Sequence, residues 1–510
     1  MNDLMSTVAA VNDSINSFIW VMIGLVLLIG TGVLMTILTG CFQVTHFSHW
    51  IRKTIGSVFR PDAHVKNEAG SVSQFQALCT ALAATIGTGN IAGVAAAICV
   101  GGPGAVFWMW IAAFLGMMTN YSENVLGIYY RRKNREGEWS GGAMYYLKDG
   151  LGNIIGYETL GKVLATLFAI FAVIASFGIG NMGQINKITL NLEDAFFSGL
   201  SSATVFGGVP LVNLIIGIVL MLIGGFIIIG GLQRIAAVAE KVVPFMALLY
   251  VLGALVIMFM HITSIGAMFA SIFRFAFGIK AVEGGAVGVA VMTVVQQGCK
   301  RGVFSNEAGL GSSVMVHSNS NVKEPVKQGL WGIFEVFADT FIVCTMTAVV
   351  VLSSGYIDLT TGLVKEGVND ATLVAQAFGN VFGRPGQWFV ALAVLLFAFT
   401  TVLGWSHYGS KAVEYLFGTA GVKVYRVIFV LMIVSGAVMT SSLAWDISDT
   451  FNGFMMVPNL IGVVALSPVV VRITRNYVER KLHGHDVKPD LSYFADIQEE
   501  AAEAVAKGFE

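Results

Sequence analysis

The chain has 510 residues and a formal net charge of −1, so its charge balance gives no sign of a nucleic-acid partner. Hydrophobic residues make up 55% and charged residues only 12%, about half the ~25% of soluble domains. A soluble fold of this length needs more polar surface than that, and the composition indicates an integral protein of the lipid bilayer, enriched in Gly as closely packed membrane helices are.

A spanning helix needs about 20 mostly apolar residues, because in hydrocarbon the backbone must satisfy its own hydrogen bonds. In chain order the apolar runs predict about eleven spans, at 16–40, 73–100, 104–130, 161–186, 209–231, 236–260, 285–317, 328–353, 387–408, 424–442 and 446–471. The first run is too long for a signal-peptide core and lacks a small-residue cleavage site, so it reads as an uncleaved span. The second and seventh are long, and each is interrupted by a glycine-containing polar patch. The five cysteines (Cys41, Cys79, Cys99, Cys299, Cys344) have no metal-type spacing and read as isolated thiols. Beyond Val471 the tail is charged, with a short surface helix predicted over 494–508. No soluble domain is inserted.

Lys and Arg set the orientation. With the N-terminus outside, 23 of the 30 basic residues fall on the cytoplasmic side, among them Arg52, Lys53, Arg60 and Lys66 after the first span. Lys187, Arg274, Lys280, Lys365 and Arg384 fall outside. The asymmetry predicts a multi-pass protein of the cell (inner) membrane with a cytoplasmic C-terminus.

A faint internal repeat relates Asn90-Ile-Ala-Gly-Val-Ala to Asn306-Glu-Ala-Gly-Leu-Gly. A Pro and a Trp-bearing helix follow each: Pro103 with Trp108, and Pro325 with Trp331. Five spans separate the copies, so the second runs inverted. Paired interrupted helices in inverted halves point to a transporter binding site. Gly87 and Gly89 each cost roughly 1 kcal/mol in a helix interior relative to Ala. Unwinding there frees carbonyls that suit a cation and N–H groups that suit a carboxylate. A glycine-rich packing face, with Gly89 and Gly93 four apart, is the alternative. In the seventh segment Lys300, Arg301 and Glu307 are costly at mid-membrane unless paired or wet, which predicts an aqueous cavity there; the alternative puts Lys300 and Arg301 in a loop that ends a shorter helix.

GTGNIAG at 87–93, NMGQ at 181–184, GVFSNEAGLGS at 302–312 and LGW at 403–405 resemble the alanine or glycine:cation symporter family, over nearly the whole chain from about Phe42 to Arg472. The resemblance implies an all-α membrane fold: the five-plus-five inverted repeat of the neurotransmitter:sodium symporters, preceded by one extra N-terminal span. The organisation is then a peripheral first helix and cytoplasmic loop over 1–72, repeats over 73–282 and 283–472, and a cytoplasmic tail over 473–510. It also implies symport of a small amino acid, alanine or glycine, with Na+ as the coupling ion. No other cofactor and no obligate protein partner is indicated.

By those motifs Thr88, Gly89 and Asn90 meet the substrate carboxylate or shape its pocket, as do Phe304, Ser305 and Asn306 from the second break. Gln184 is the polar contact from span four and Trp405 an aromatic lid from span nine. In the related sodium symporters, two cation-binding carbonyls precede a stretch like Gly87–Asn90. The resemblance therefore implies a sodium site from the carbonyls of Ala83, Ile86 and Phe397 with the hydroxyls of Thr400 and Thr401. Threonines that bond back to their own helix are the plain alternative.

Glu335 and Asp339 lie four apart and share a helix face. Asp339 needs a partner, and Lys300 or Arg301 is the expected one. Tyr121 and Glu123 are expected at the cytoplasmic interface, as are Glu240 and Lys241, with Trp108 and Trp110 in the outer aromatic belt. Coupling to protons through Glu307, Asp339 or Glu335 is the second reading of the mechanism. A channel does not fit a single chain with two unlike halves. No enzyme motif appears, and the few His residues do not cluster.

Overall fold

The computed structural model describes residues 2–58, 71–200, 203–205, 208–277, 287–365, 370–439 and 443–509. Arg60, Lys66, Lys280, the expected repeat boundary at 282/283 and the edges of spans seven and ten at 285–286 and 440–442 lie outside them.

The main helices, in chain order, are α1 (Ser6–Leu38), α2 (Gln74–Thr85), α3 (Gly89–Gly101), α4 (Gly104–Tyr129), α5 (Glu158–Phe197), α6 (Leu211–Ile229), α7 (Gly231–Met260), α8 (Val287–Asn306), α9 (Val314–His317), α10 (Pro325–Ser353), α11 (Arg384–Ala437), α12 (Leu443–Ala465), α13 (Ser467–Lys481) and α14 (Ala495–Ala506). Among the described residues six helices are long and apolar enough to cross a membrane, and eight if each of two bent pairs is one span. Their outer faces carry large apolar side chains, such as Phe226, Leu222 and Phe259, each more than 60% exposed. Lipid is the solvent those faces fit.

α4 and α8 stand outside the apolar set because each carries a polar stretch, 119–124 in α4 and 296–306 in α8. α4 buries Asn120, Tyr121, Ser122, Glu123 and Asn124 in consecutive positions. It packs against α8 and α10 at the centre of the molecule. The expected interfacial position of Tyr121 and Glu123 is therefore corrected. Tyr121 bonds Thr474 at 2.8 Å, and Glu123 accepts from Asn459 at 2.5 Å, both in the interior. A buried carboxylate persists only with such donors.

Spans nine and ten were expected as separate helices. Within α11 Gly418 leaves helical geometry at φ 74°, ψ −177°, a conformation glycine adopts without strain, and it divides the run into two helices there. A two-stranded ladder, Arg132–Lys133 with Trp139–Ser140, is a small departure from an all-α fold. α14 forms where the surface helix was expected.

α1 is held to the bundle by a polar clasp. Lys300 of α8 lies 3.2 Å from Asp449 of α12 and donates to Asn16 of α1 at 2.9 Å. Asn16 in turn donates to Asp449 at 2.9 Å. This corrects the expected Lys300–Asp339 pairing: the cation at position 300 faces α1 and α12. Glu335, one turn before Asp339, has its own partners. It accepts from Asn120 at 3.2 Å and lies 3.0 Å from His317.

Candidate functional site: two broken helices around one cavity

Ser73 and Gln76 start α2 with a reciprocal capping box. The helix ends at Thr85, where Ile86 leaves helical geometry at φ −77°, ψ 88°. The next helical segment sets off at 53° to the first. In an unbroken helix the Gly87 amide would bond the Ala83 carbonyl. Here it donates to Asn90 Oδ1 at 2.9 Å. Close approach explains why glycine stands at 87 and 89. A Cβ on Gly87 would lie 2.5 Å from Thr401 Oγ1, and one on Gly89 would lie 3.2 Å from the Phe304 ring. A Cβ on Gly93 would meet nothing within 4 Å, so the packing-face alternative fails at that position.

The second break follows Asn306. Glu307 takes φ +56°, and Gly309 and Gly311 take +93° and +71°, before α9 resumes at Val314. A left-handed conformation is strained for a non-glycine residue and clusters at functional sites. Asn306 Oδ1 accepts from the Ala308 amide at 3.0 Å, capping the break as Asn90 caps the first.

Both breaks are tied to one segment of α10, Phe337–Cys344, which is wound as a π-helix. Such bulges recur at functional sites. Asp339 accepts from Asn90 Nδ2 at 2.6 Å, Ser305 Oγ at 2.8 Å and Thr340 Oγ1 at 2.9 Å. Asn306 Nδ2 donates to Thr340 at 3.0 Å. Three neutral donors thus satisfy Asp339, where a basic partner had been expected.

Between the breaks lies a cavity of about 20 Å³, measured as the space open to the centre of a water molecule. Holding one water takes roughly 10–15 Å³ on that measure. Gly87, Gly89, Gln184, Phe304, Thr401 and Trp405 line it, together with Glu307 and Asn452. Trp405 Nε1 donates to Glu307 Oε1 at 2.9 Å, and Ser312 Oγ donates to Glu307 Oε2 at 2.6 Å. Gln184 donates to the Ile179 carbonyl at 3.0 Å and accepts from the Thr88 amide at 3.4 Å.

The structure thus brings Gly89, Gln184, Phe304 and Trp405 to one cavity. Asn90, Ser305 and Asn306 sit behind it, holding the breaks to α10. Thr88 lines a separate small cavity with Lys187 and Asn191. Asn452, on α12, was not anticipated. It is buried, and among the described residues its Oδ1 has no hydrogen-bond partner. The dense polar run Asp446–Asn452 within an apolar span was the available signal.

Ala83, Ile86, Phe397, Thr400 and Thr401 are all buried where α2 meets α11, and a Cβ on Gly404 would lie 2.6 Å from that of Ala84. Thr400 Oγ1 lies 2.9 Å from the carbonyls of both Leu396 and Phe397, and Thr401 Oγ1 donates to the Phe397 carbonyl at 3.0 Å. A hydroxyl that gives its hydrogen to its own helix keeps oxygen lone pairs for a cation. The Phe397 carbonyl, in contrast, already faces two hydroxyl donors.

A sequence profile of the sodium:alanine symporter family matches residues 5–491. The chain belongs to the sodium:alanine symporter family. It is therefore a multi-pass membrane protein of the amino acid:cation symport class. The sodium/alanine symporter AgcS of Methanococcus maripaludis is 43% identical over 93% of this chain and 98% of its own length. The probable sodium/glutamine symporter GlnT of Bacillus subtilis is 36% identical over 92% and 91%. The amino-acid carrier protein AlsT of the same organism is 35% identical over 92% of each. Among solved structures, MhsT in complex with L-phenylalanine matches with a TM-score of 0.52 and 14% identity, covering 80% of this chain and 99% of that one. At that identity the likeness concerns the fold alone, and the fold is of the neurotransmitter:sodium symporter type.

Proposed function

We propose that this symporter takes up alanine or glycine with sodium by alternating access, through the cavity between the two broken helices. The observation that carries the reading is the pair of breaks, each capped by an asparagine and each anchored to α10 at Asp339 or Thr340. Unwound backbone that lines a cavity is how such folds offer N–H groups to a substrate carboxylate and carbonyls to a cation. In this reading the substrate lies against Gly89, Phe304 and Gln184 under Trp405, with Asn90, Ser305 and Asn306 holding the pocket's shape and Thr88 contributing through the amide it gives to Gln184. Sodium takes the carbonyls of Ala83, Ile86 and Phe397 and the hydroxyls of Thr400 and Thr401.

The chain makes eleven spans, the last ten as two inverted repeats over 73–282 and 283–472, with the N-terminus outside and the tail cytoplasmic. Support comes from the basic-residue asymmetry and from the matching Asn-x-Ala-Gly at both breaks. Substrate and sodium stabilise one another's binding by the same factor.

The test is uptake of radiolabelled alanine into proteoliposomes under an inward sodium gradient. Uptake unchanged when choline replaces sodium rejects sodium coupling. One observation favours the proton-coupled alternative: the Glu307 carboxylate lines the cavity. Under it, external acidification without sodium drives uptake; under ours it does not.

A further inference from the structure

Where α13 ends, the chain brings together three metal-ligating side chains that sequence spacing had left unclustered. The reach of each is set by the backbone. Leu482 and His483 both donate their amides to the Val478 carbonyl, at 2.9 and 3.1 Å, and the His485 amide donates to the Glu479 carbonyl at 3.0 Å. The reversal needs a left-handed residue at its centre, and Gly484 supplies it with φ +74°. The turn folds both imidazoles back over the last turn of the helix. His485 Nδ1 comes within 2.5 Å of Glu479 Oε2, and His483 Nδ1 within 3.5 Å of the same oxygen.

We infer that Glu479, His483 and His485 form a binding site for a divalent transition metal such as Zn2+, on the side of the membrane that carries the tail. The ligating atoms all lie within 4.8 Å of one another. A tetrahedral ion with bonds of ~2.0–2.2 Å holds its ligand atoms about 3.3–3.6 Å apart, so the Glu479–His485 pair must open by about an ångström, the Glu479–His483 pair already fits, and no pair must close by more than about 1.5 Å. Two imidazoles and one carboxylate suit zinc, nickel or copper and disfavour magnesium and calcium, which prefer all-oxygen sets. The three residues are partly or well exposed, so an ion has access and water completes its coordination. The site also has a mechanical setting. The turn begins an arm whose Tyr493 amide bonds the Tyr129 carbonyl at 3.0 Å, and whose Glu500 pairs with Lys133 and Lys323 at 3.4 and 3.1 Å. An ion at the turn fixes the root of that arm.

The experiment is titration of the purified full chain, carrying no polyhistidine tag, with ZnCl2 by calorimetry and with Co2+ by visible absorption. The expected result is one ion bound per chain, with a cobalt spectrum that includes nitrogen ligands. In H483A/H485A that binding is lost. In G484A, which keeps all three ligands but strains the turn, affinity falls at least tenfold. Thermal melting of both variants checks that they are folded. Absence of heat and spectrum in the parent chain overturns the inference, leaving a Glu–His hydrogen-bonded pair only. An unaltered titration in the double variant overturns it as well. Neither readout depends on transport, so failure here is separable from failure of the proposed symport.

Discussion

Asn90 and Asn306 perform matching tasks at the two breaks. Each lends its side-chain oxygen to a backbone amide that the helix has released, at Gly87 and Ala308, at 2.9 and 3.0 Å. Each gives its side-chain N–H to one of two adjacent residues of α10, Asp339 and Thr340. The pair explains why asparagine begins both copies of the repeat. Only a residue with donor and acceptor on one short arm can cap a break and tether it at once.

Asn90→Ala leaves the Gly87 amide and one Asp339 oxygen short of a partner. A buried group left unsatisfied costs about 1–3 kcal/mol, more when charged. We expect alanine uptake to fall at least tenfold, with a lowered thermal midpoint. Ser305→Ala removes a donor that shares Asp339 Oδ2 with Thr340 and Cys344, and is expected to cost less on both measures. Uptake equal to the parent chain in Asn90→Ala would remove the tether from the mechanism.

Gly87→Ala places a Cβ 2.5 Å from the Thr401 hydroxyl, at the proposed cation site, whereas Gly93→Ala meets nothing within 4 Å. Sodium-dependent uptake is therefore expected to collapse in the first variant. It is expected to survive in the second, which also gains up to about 1 kcal/mol of helix propensity. Equal behaviour of the two would place the first break away from the ions' path.

Among the described residues Asn452 presents an unpartnered buried oxygen at the cavity, and the ammonium of a bound amino acid is the group it fits. Asn452→Ala is expected to raise the alanine Kd at least about tenfold, the worth of one hydrogen bond to a charged group of ~1.5–3 kcal/mol. Calorimetry with and without sodium measures it. An unchanged Kd would leave the residue a wall and nothing more.

Trp405→Phe keeps an aromatic ring over the cavity but removes the N–H that Glu307 accepts. The freed carboxylate oxygen then lies in the cavity wall without that donor. The variant is expected to lose sodium-driven uptake several-fold more than Tyr425→Phe. That change removes a hydroxyl bonded to Ser176, away from the cavity.

The breaks were legible in the sequence because glycine and asparagine in an apolar run carry a local cost that only a cavity or a close contact explains. The family motifs made Gln184, Phe304 and Trp405 legible. What escaped were partnerships fixed by packing between distant segments. Asp339 found neutral donors where a cation was expected, because Lys300 faces outward to α1. Glu123 reads as interfacial from its place near a span's end, yet Asn459, on another helix, draws it inside. Asn452 escaped since its environment is assembled from α2, α8 and α11. The turn at Gly484 shows the same limit: spacing alone did not reveal that three ligating groups converge.

Thr401 and Trp405 stand four residues apart on α11, one helical turn, and both reach the cavity between the breaks. A stiff rod transmits displacement along its length, so under the proposed sites whatever draws the threonine toward Gly87 would swing the indole over the amino acid in the same stroke. Ion capture and gate closure would then share one lever, and neither cargo would need to touch the other for their loading to be synchronised.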